Sequence, residues 1–233
     1  MGKFDAASHY TGVEILETLQ EAKRYNAYLK NEIAKYGKDA NTIMDYGAGI
    51  GTFSAVLKNK NVITVELDPK LCNYLKEQGY QTYTELSDIK DNSIDFIYTL
   101  NVLEHIEDDE SVLKELHSKL KPGGKLLIYV PALKILFSSM DRKVKHFRRY
   151  KKSDIVNMMK QLGYEVEHAE YVDSMGFFVT LLYKILITSG EINKTSVKIY
   201  DKIVFPLSRI FDKLGLSKLF GKNLQLVATR KLK

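Results

Sequence analysis

Cysteine is almost missing from this sequence: the 233 residues hold only Cys72, which excludes a disulfide framework and a cysteine-ligated zinc site. Such scarcity fits a reducing, cytoplasmic setting. Hydrophobic runs long enough to cross a membrane are missing too. The stretch from Met175 to Ile187 is 13 residues with Lys184 inside it, and a span requires roughly 20. Met1 to Thr11 has neither the basic opening nor the apolar core of an export signal, so a cytoplasmic location is expected. Repeats, low-complexity segments and a linker are lacking as well, and residues 1–233 are expected to form one domain. With 45% apolar and 27% charged residues the chain is globular, not disordered.

What the sequence does have is an uneven charge. The total is +6, yet Lys194 to Lys233 alone carries ten Lys/Arg against Asp201 and Asp212, a balance of +8. The preceding residues are therefore near neutral, at −2. This asymmetry points to an anionic surface or substrate near the C-terminal region, with a solvated lysine-rich face as the alternative.

Apolar periodicity predicts a helix over residues 13–36, with Val13, Leu16, Leu19, Tyr25, Tyr28, Leu29 and Ile33 along one side and Gly37 at its end. Short apolar runs at Thr42–Tyr46, Asn61–Glu66, Asp95–Leu100 and Lys125–Pro131 read as buried strands. Helices are expected at Thr52–Lys58, after Asp68-Pro69, and at Asp109–Leu120, the last broken by Lys121-Pro122-Gly123-Gly124. Strand and helix in alternation predict a Rossmann-like α/β fold whose mostly parallel, seven-stranded sheet has helices on both faces. Residues 132–151 read as a basic loop or cap, Ser153–Leu162 as a helix and Tyr164–Val172 as a strand. The core is expected over about 40–172 and 223–230, with a helical insertion over about 174–221 before the last strand, Asn223–Arg230.

Three constellations carry chemistry. The first is Asp45-Tyr46-Gly47-Ala48-Gly49-Ile50-Gly51, a glycine-rich strand-to-helix turn where a ligand can approach the backbone without meeting a Cβ. Its spacing is G-x-G-x-G, and position 52, where a dinucleotide fingerprint has its third glycine, is Thr52. An acid beside the glycines suits a cationic ligand better than a pyrophosphate. The second is Glu66, at a strand end 19 residues after Gly47, where a carboxylate can accept both hydroxyls of a ribose. Leu67 follows as an apolar neighbour for a base, while Asp68, just before Pro69, reads better as a helix cap. The third is Asn101-Val102-Leu103-Glu104-His105, directly after a strand, on the side of the sheet where α/β ligand sites form.

The segments IMDYGAGIGTFS, VITVELDP, DFIYTLNVLEHIEDDE and LKPGGKLLIYVP, in this order, resemble the successive motifs of class I S-adenosylmethionine-dependent methyltransferases over about residues 40–131. Within that class the likeness is to the broad group that includes quinone-biosynthesis enzymes, and the flanks resemble uncharacterised members from glycan or lipid pathways. The resemblance implies S-adenosylmethionine as cofactor. Asp45, Gly47 and Gly49 would hold its methionine part, Glu66 its ribose, Glu85 or Leu86 would lie by the adenine beside Leu67, and Asn101 would offer its backbone. The stretch TELSDI lacks the usual clear acid, so Glu85 and Asp88 compete there.

For the acceptor, His105 near the sulfonium is one base candidate, with a hydrogen-bonded turn histidine as the alternative. The segment DRKVKHFRRYKK packs seven Lys/Arg and His146 into twelve residues. Arg148, Arg149 and Tyr150 are the substrate-binding candidates, since guanidinium engages phosphate or carboxylate bidentately, and His146 is a second base candidate. No metal site is expected, because Glu104 and His105 lack a fuller ligand set in sequence. The expected reaction is methyl transfer, at oxygen, to a small or lipid-linked anionic acceptor, with RNA methylation or C- or N-methylation of a small metabolite as alternatives. A peripheral membrane contact through the basic C-terminal region is the expected further partner; nucleic acid is disfavoured by the near-neutral body.

Overall fold

Seven strands assemble in the order β3-β2-β1-β4-β5-β7-β6 in this computed structural model, which describes residues 18–57, 59–186 and 194–232. The strands are β1 (Thr42–Tyr46), β2 (Asn61–Val65), β3 (Gln81–Tyr83), β4 (Ile94–Leu100), β5 (Leu120–Pro131), β6 (Tyr164–Val172) and β7 (Asn223–Arg230). β1 to β5 run parallel, and β7 lies antiparallel between β5 and β6. Ile43, Met44, Ile97, Leu126 and Ile128 are fully enclosed, which explains why these strands read as unbroken apolar runs: both faces of a parallel sheet are covered.

Helix α1 (Lys23–Gly37) buries Leu29 and Ile33, four residues apart on one side. Val13 and Leu16 of the predicted stripe lie outside the described residues. Asp68 accepts hydrogen bonds from the backbone N–H groups of Lys70 and Leu71 and has Pro69 after it, so it caps α2 (Pro69–Glu77). Asp108 does the same for α3 (Asp109–Lys119) through the Ser111 N–H. Two local expectations need correction. The helix expected at Thr52–Lys58 is a single 3-10 turn, Ser54–Leu57, because the Ser54 hydroxyl is tied 2.6 Å from Asp45 and pins the chain against β1. The edge strand β3 went unread, since three residues cannot display an alternating pattern.

After β5 comes a basic strap with one short helix, α4 (Ser139–Lys143), and then α5 (Lys152–Gln161). The strap is stitched down: Ala132 bridges Tyr150, and the Phe147 N–H donates to the Glu104 carbonyl at 2.8 Å. Between β6 and β7 stand α6 (Ser174–Leu186), α7 (Lys194–Ile199), a π turn (Tyr200–Val204) and α8 (Phe205–Lys213), the helical insertion. Its two acids among the described residues look inward. Asp201 accepts from the backbone N–H groups of Arg24 and Tyr25, completing the start of α1. Asp212 accepts from those of Asp173 and Ser174 at the start of α6. Among the described residues no helix is long and apolar enough to cross a membrane.

Candidate active site

The chain leaves β1 for β2 on one side and later returns to place β4 on the other, so the carboxyl ends of β1 and β4 flank a topological switch point. Gly47 turns there with φ of 79°, and a Cβ on it would come within 2.3 Å of the Val102 side chain. Only glycine fits. The Gly47 and Ala48 N–H groups donate to the Val65 carbonyl, and the Gly49 N–H donates to Glu66 Oε2 at 2.8 Å. Glu66 Oε1 accepts from the Asp68 N–H at 3.0 Å. The carboxylate thus clamps the loop to β2 and retains lone pairs for two more donors, which is what a ribose diol supplies. With its side chain engaged as a cap, Asp68 does not compete for that role.

The remaining cofactor candidates separate by burial. Leu67 is 67% exposed beside Glu66, an apolar ledge at the cleft. Glu85 is exposed ahead of the 3-10 turn Leu86–Asp88, whereas the Leu86 side chain packs in the core. Leu86 can therefore offer its backbone, not its side chain, to a purine. Asn101 takes the left-handed conformation, φ 55°, one of the few non-glycine residues that do so readily, and its N–H donates to the Tyr129 carbonyl. Asp45 is buried under the loop. Burial pushes its carboxyl up to about 6 despite hydrogen bonds from Ser54 and Tyr98, and the bond to Ser54 ties it to the base of the loop.

Beside this cleft a second cluster forms that sequence spacing concealed. The 3-10 turn Leu103–His105 follows β4, and the strap brings His146 across it. His146 Nδ1 lies 2.8 Å from Asp141 Oδ1, and Nε2 faces Glu104 Oε1 at 3.8 Å. The His105 and His146 rings meet edge to face at 4.6 Å. Glu104 is fully enclosed, neither carboxylate oxygen has a hydrogen-bond partner among the described residues, and burial pushes its pKa up to about 8. Desolvation of the ring and the neighbouring His146 push His105 down to about 4. Burial would raise Asp141, but hydrogen bonds from His146 and Arg149 and the Arg149 charge outweigh it and hold the carboxyl below the ordinary range. One donor atom each from Glu104, His105 and His146 lies within 4.8 Å of the others, a set able to hold a divalent cation. In sequence only the first two stood together.

The strap's other candidates, expected to bind substrate, all have partners within the chain. Arg148 pairs with Asp109 at 2.6 Å and with the Glu107 carbonyl. Arg149 grips Asp141 through Nε and Nη2 at 2.8 and 3.1 Å, and Tyr150, buried, donates its hydroxyl to Asp109. Two guanidinium groups balanced by buried carboxylates hold the strap in place and leave no open anion clamp. The cation that sequence reading missed is Lys222, at the carboxyl end of β5 where its carbonyl accepts from the Ala132 N–H. Its ammonium lies 4.5 Å from the Tyr200 ring, no carboxylate reaches it within 4 Å among the described residues, and burial lowers its pKa. No periodicity marks it; its place before β7 does.

Comparison with known proteins agrees with this geometry. The sequence matches the methyltransferase-domain family over residues 18–169. It is 26% identical over 111 residues to phosphoethanolamine N-methyltransferase 2 of Caenorhabditis elegans, covering 41% of this chain and 25% of that protein. It is 30% identical over 90 residues to an uncharacterised protein of Methanocaldococcus jannaschii, covering 38% and 40%. The chain thus spans well under half the length of these curated relatives. A SAM-dependent methyltransferase from Archaeoglobus fulgidus superposes with a TM-score of 0.61 at 17% identity, covering 91% of this chain and 99% of that one. One from Mesorhizobium loti gives 0.61 at 14%, covering 90% and 100%. The shared fold, the glycine loop clamped by Glu66 and a family match over most of the sequence lead to one conclusion: the chain belongs to the methyltransferase-domain family and has the fold of these S-adenosylmethionine-dependent methyltransferases.

Proposed function

We propose that the protein transfers a methyl group to a hydroxyl oxygen of a small or lipid-linked anionic acceptor. The observation that carries this reading is the Asp141–His146 pair beside the cofactor loop. Bound S-adenosylmethionine supplies an activated methyl on a sulfonium, so the protein's task is alignment, worth roughly 7–11 kcal/mol where geometry is good. Gly47, Gly49, Asn101 and Glu66 would hold the donor, with Leu67 and Glu85 toward its base. Asp141 fixes His146 through Nδ1, leaving Nε2 to take the hydroxyl proton as the oxygen attacks. Lys222, with no carboxylate within 4 Å among the described residues, would receive the acceptor's anionic group.

The test is S-adenosylhomocysteine release against phosphorylated alcohols, their lipid-linked forms and phosphoethanolamine. His146→Asn is expected to lower kcat on a hydroxyl acceptor by about 10²- to 10⁴-fold with donor affinity unchanged. Full activity in that variant, with phosphoethanolamine the preferred substrate, would replace the oxygen reading with nitrogen methylation, the chemistry named in the Caenorhabditis relative.

One observation favours a metal-assisted version. Two carboxylate oxygens on a fully enclosed Glu104, without a hydrogen bond among the described residues and facing two histidines, are the donor set a divalent cation satisfies, and Asp141 holds His146 as a ligand's outer partner would. Calorimetric titration with Mn²⁺ or Zn²⁺ should then show saturable binding that weakens at least about 100-fold in Glu104→Gln. Equal binding by both proteins, or none, leaves the histidine base acting alone.

A further inference from the structure

We infer that the helical insertion docks the protein on an anionic lipid bilayer, a partner that the reading of a lipid-linked acceptor would require but that stands on its own evidence. From α7 through the π turn and α8, Ile199, Ile203, Leu207, Ile210 and Leu214 recur at steps of four, four, three and four residues, each 44–72% exposed. That is one stripe along one continuous helical path, left uncovered by the other described residues. Helix α6 packs beside α8 and shows a second exposed row: Phe178, Leu182, Ile185 and Leu186. The Phe178 ring meets Phe220 at 5.3 Å, next to the exposed Leu219, so the apolar rim continues past the end of α8.

Charge decides what covers this surface. Lys202, Lys213 and Lys218 are exposed along it with no carboxylate partner among the described residues. The only acids from Lys194 to Leu232, Asp201 and Asp212, are buried and engaged with the starts of α1 and α6. Apart from Thr195 and Ser196, the exposed side chains of α7, the π turn and α8 are apolar or cationic, and one of the cations, Lys198, pairs with Glu21 of the preceding segment at 3.2 Å. A second copy laid face to face against it would set Lys202, Lys213 and Lys218 against one another with no acid of the segment itself to answer. A bilayer of anionic lipids answers both features: acyl chains for the stripe, headgroup charge for the ammonium groups. Among the described residues no helix is long and apolar enough to span, so the proposed contact lies in the interfacial plane.

Co-sedimentation of the full chain with vesicles of phosphatidylcholine, with or without phosphatidylglycerol, tests this. Binding is expected only to the anionic vesicles, falling as salt rises. Lys202→Ala and Lys213→Ala should each weaken it about fivefold, the effect of one basic residue at such a surface. Ile203→Gln with Leu207→Gln and Ile210→Gln should abolish it, while calorimetry shows donor affinity at the wild-type level and so a folded protein. Indifference of wild type to anionic vesicles overturns the proposal, as does dimerisation in solution that the same three glutamines disrupt. Absence of donor binding in wild type would instead sink the enzyme reading, which vesicle binding does not consult.

Discussion

Replacing Glu66 with alanine raises the dissociation constant for S-adenosylmethionine by about 100-fold or more. Two charge-assisted hydrogen bonds to a ribose diol are at stake, each worth about 1.5–3 kcal/mol. The loss does not stop there. Glu66 Oε2 also holds the Gly49 N–H and Oε1 the Asp68 N–H, so the variant frees the loop that must already be shaped when the ligand arrives. Glu66→Gln, which keeps one carbonyl acceptor, should fall between wild type and alanine. Calorimetry reads both, and an affinity that stays put in Glu66→Ala would remove the ribose assignment while leaving the fold untouched.

Asp141→Asn is expected to be the most destabilising single change in the strap. Asp141 is fully enclosed and accepts at once from Arg149, His146 and Ser138. Removing its charge leaves the Arg149 guanidinium, itself only 7% exposed, without a counter-ion. Breaking such a buried pair costs about 3–5 kcal/mol, which lowers the melting temperature by roughly 10 °C for a chain of this size. The pH dependence follows from the depressed pKa of Asp141 in the folded state. A carboxyl held below its unfolded value stabilises fully above that value, near 4, and loses the contribution as pH falls through the folded one. The gap between wild type and variant should thus be complete at pH 7 and narrow below about pH 4. A constant gap across that range would show that lost packing, not charge, is responsible.

The parts legible in sequence are those written locally. The glycine turn, Glu66 at the strand end and the Asp68-Pro69 helix start each occupy a few consecutive residues with one backbone consequence. Strands β6 and β7 were equally readable, bounded by Gly163 before β6 and Gly221 before β7. The site's second half was not, because it is made by distance. His146 reaches Glu104 only after the strap crosses back over β5, and nothing in DRKVKHFRRYKK says which cations will face buried carboxylates. A basic cluster therefore read as an anion clamp, while Arg148 and Arg149 are in fact matched to Asp109 and Asp141. Lys222, which faces the Tyr200 ring, stood alone in a glycine-flanked turn and carried no pattern at all.

The Asp201 carboxylate that completes the start of α1 also bears on the order of synthesis. Arg24 and Tyr25 emerge from the ribosome 177 and 176 residues ahead of the group that satisfies their N–H groups. Strand β6 waits as well, since its only neighbour in the sheet is β7, which must wedge in beside β5 after the whole insertion has been made. Contacts that bridge so much chain form slowly, and a nascent molecule carries an open sheet edge until they do. The first described helix to be made is among the last to be finished.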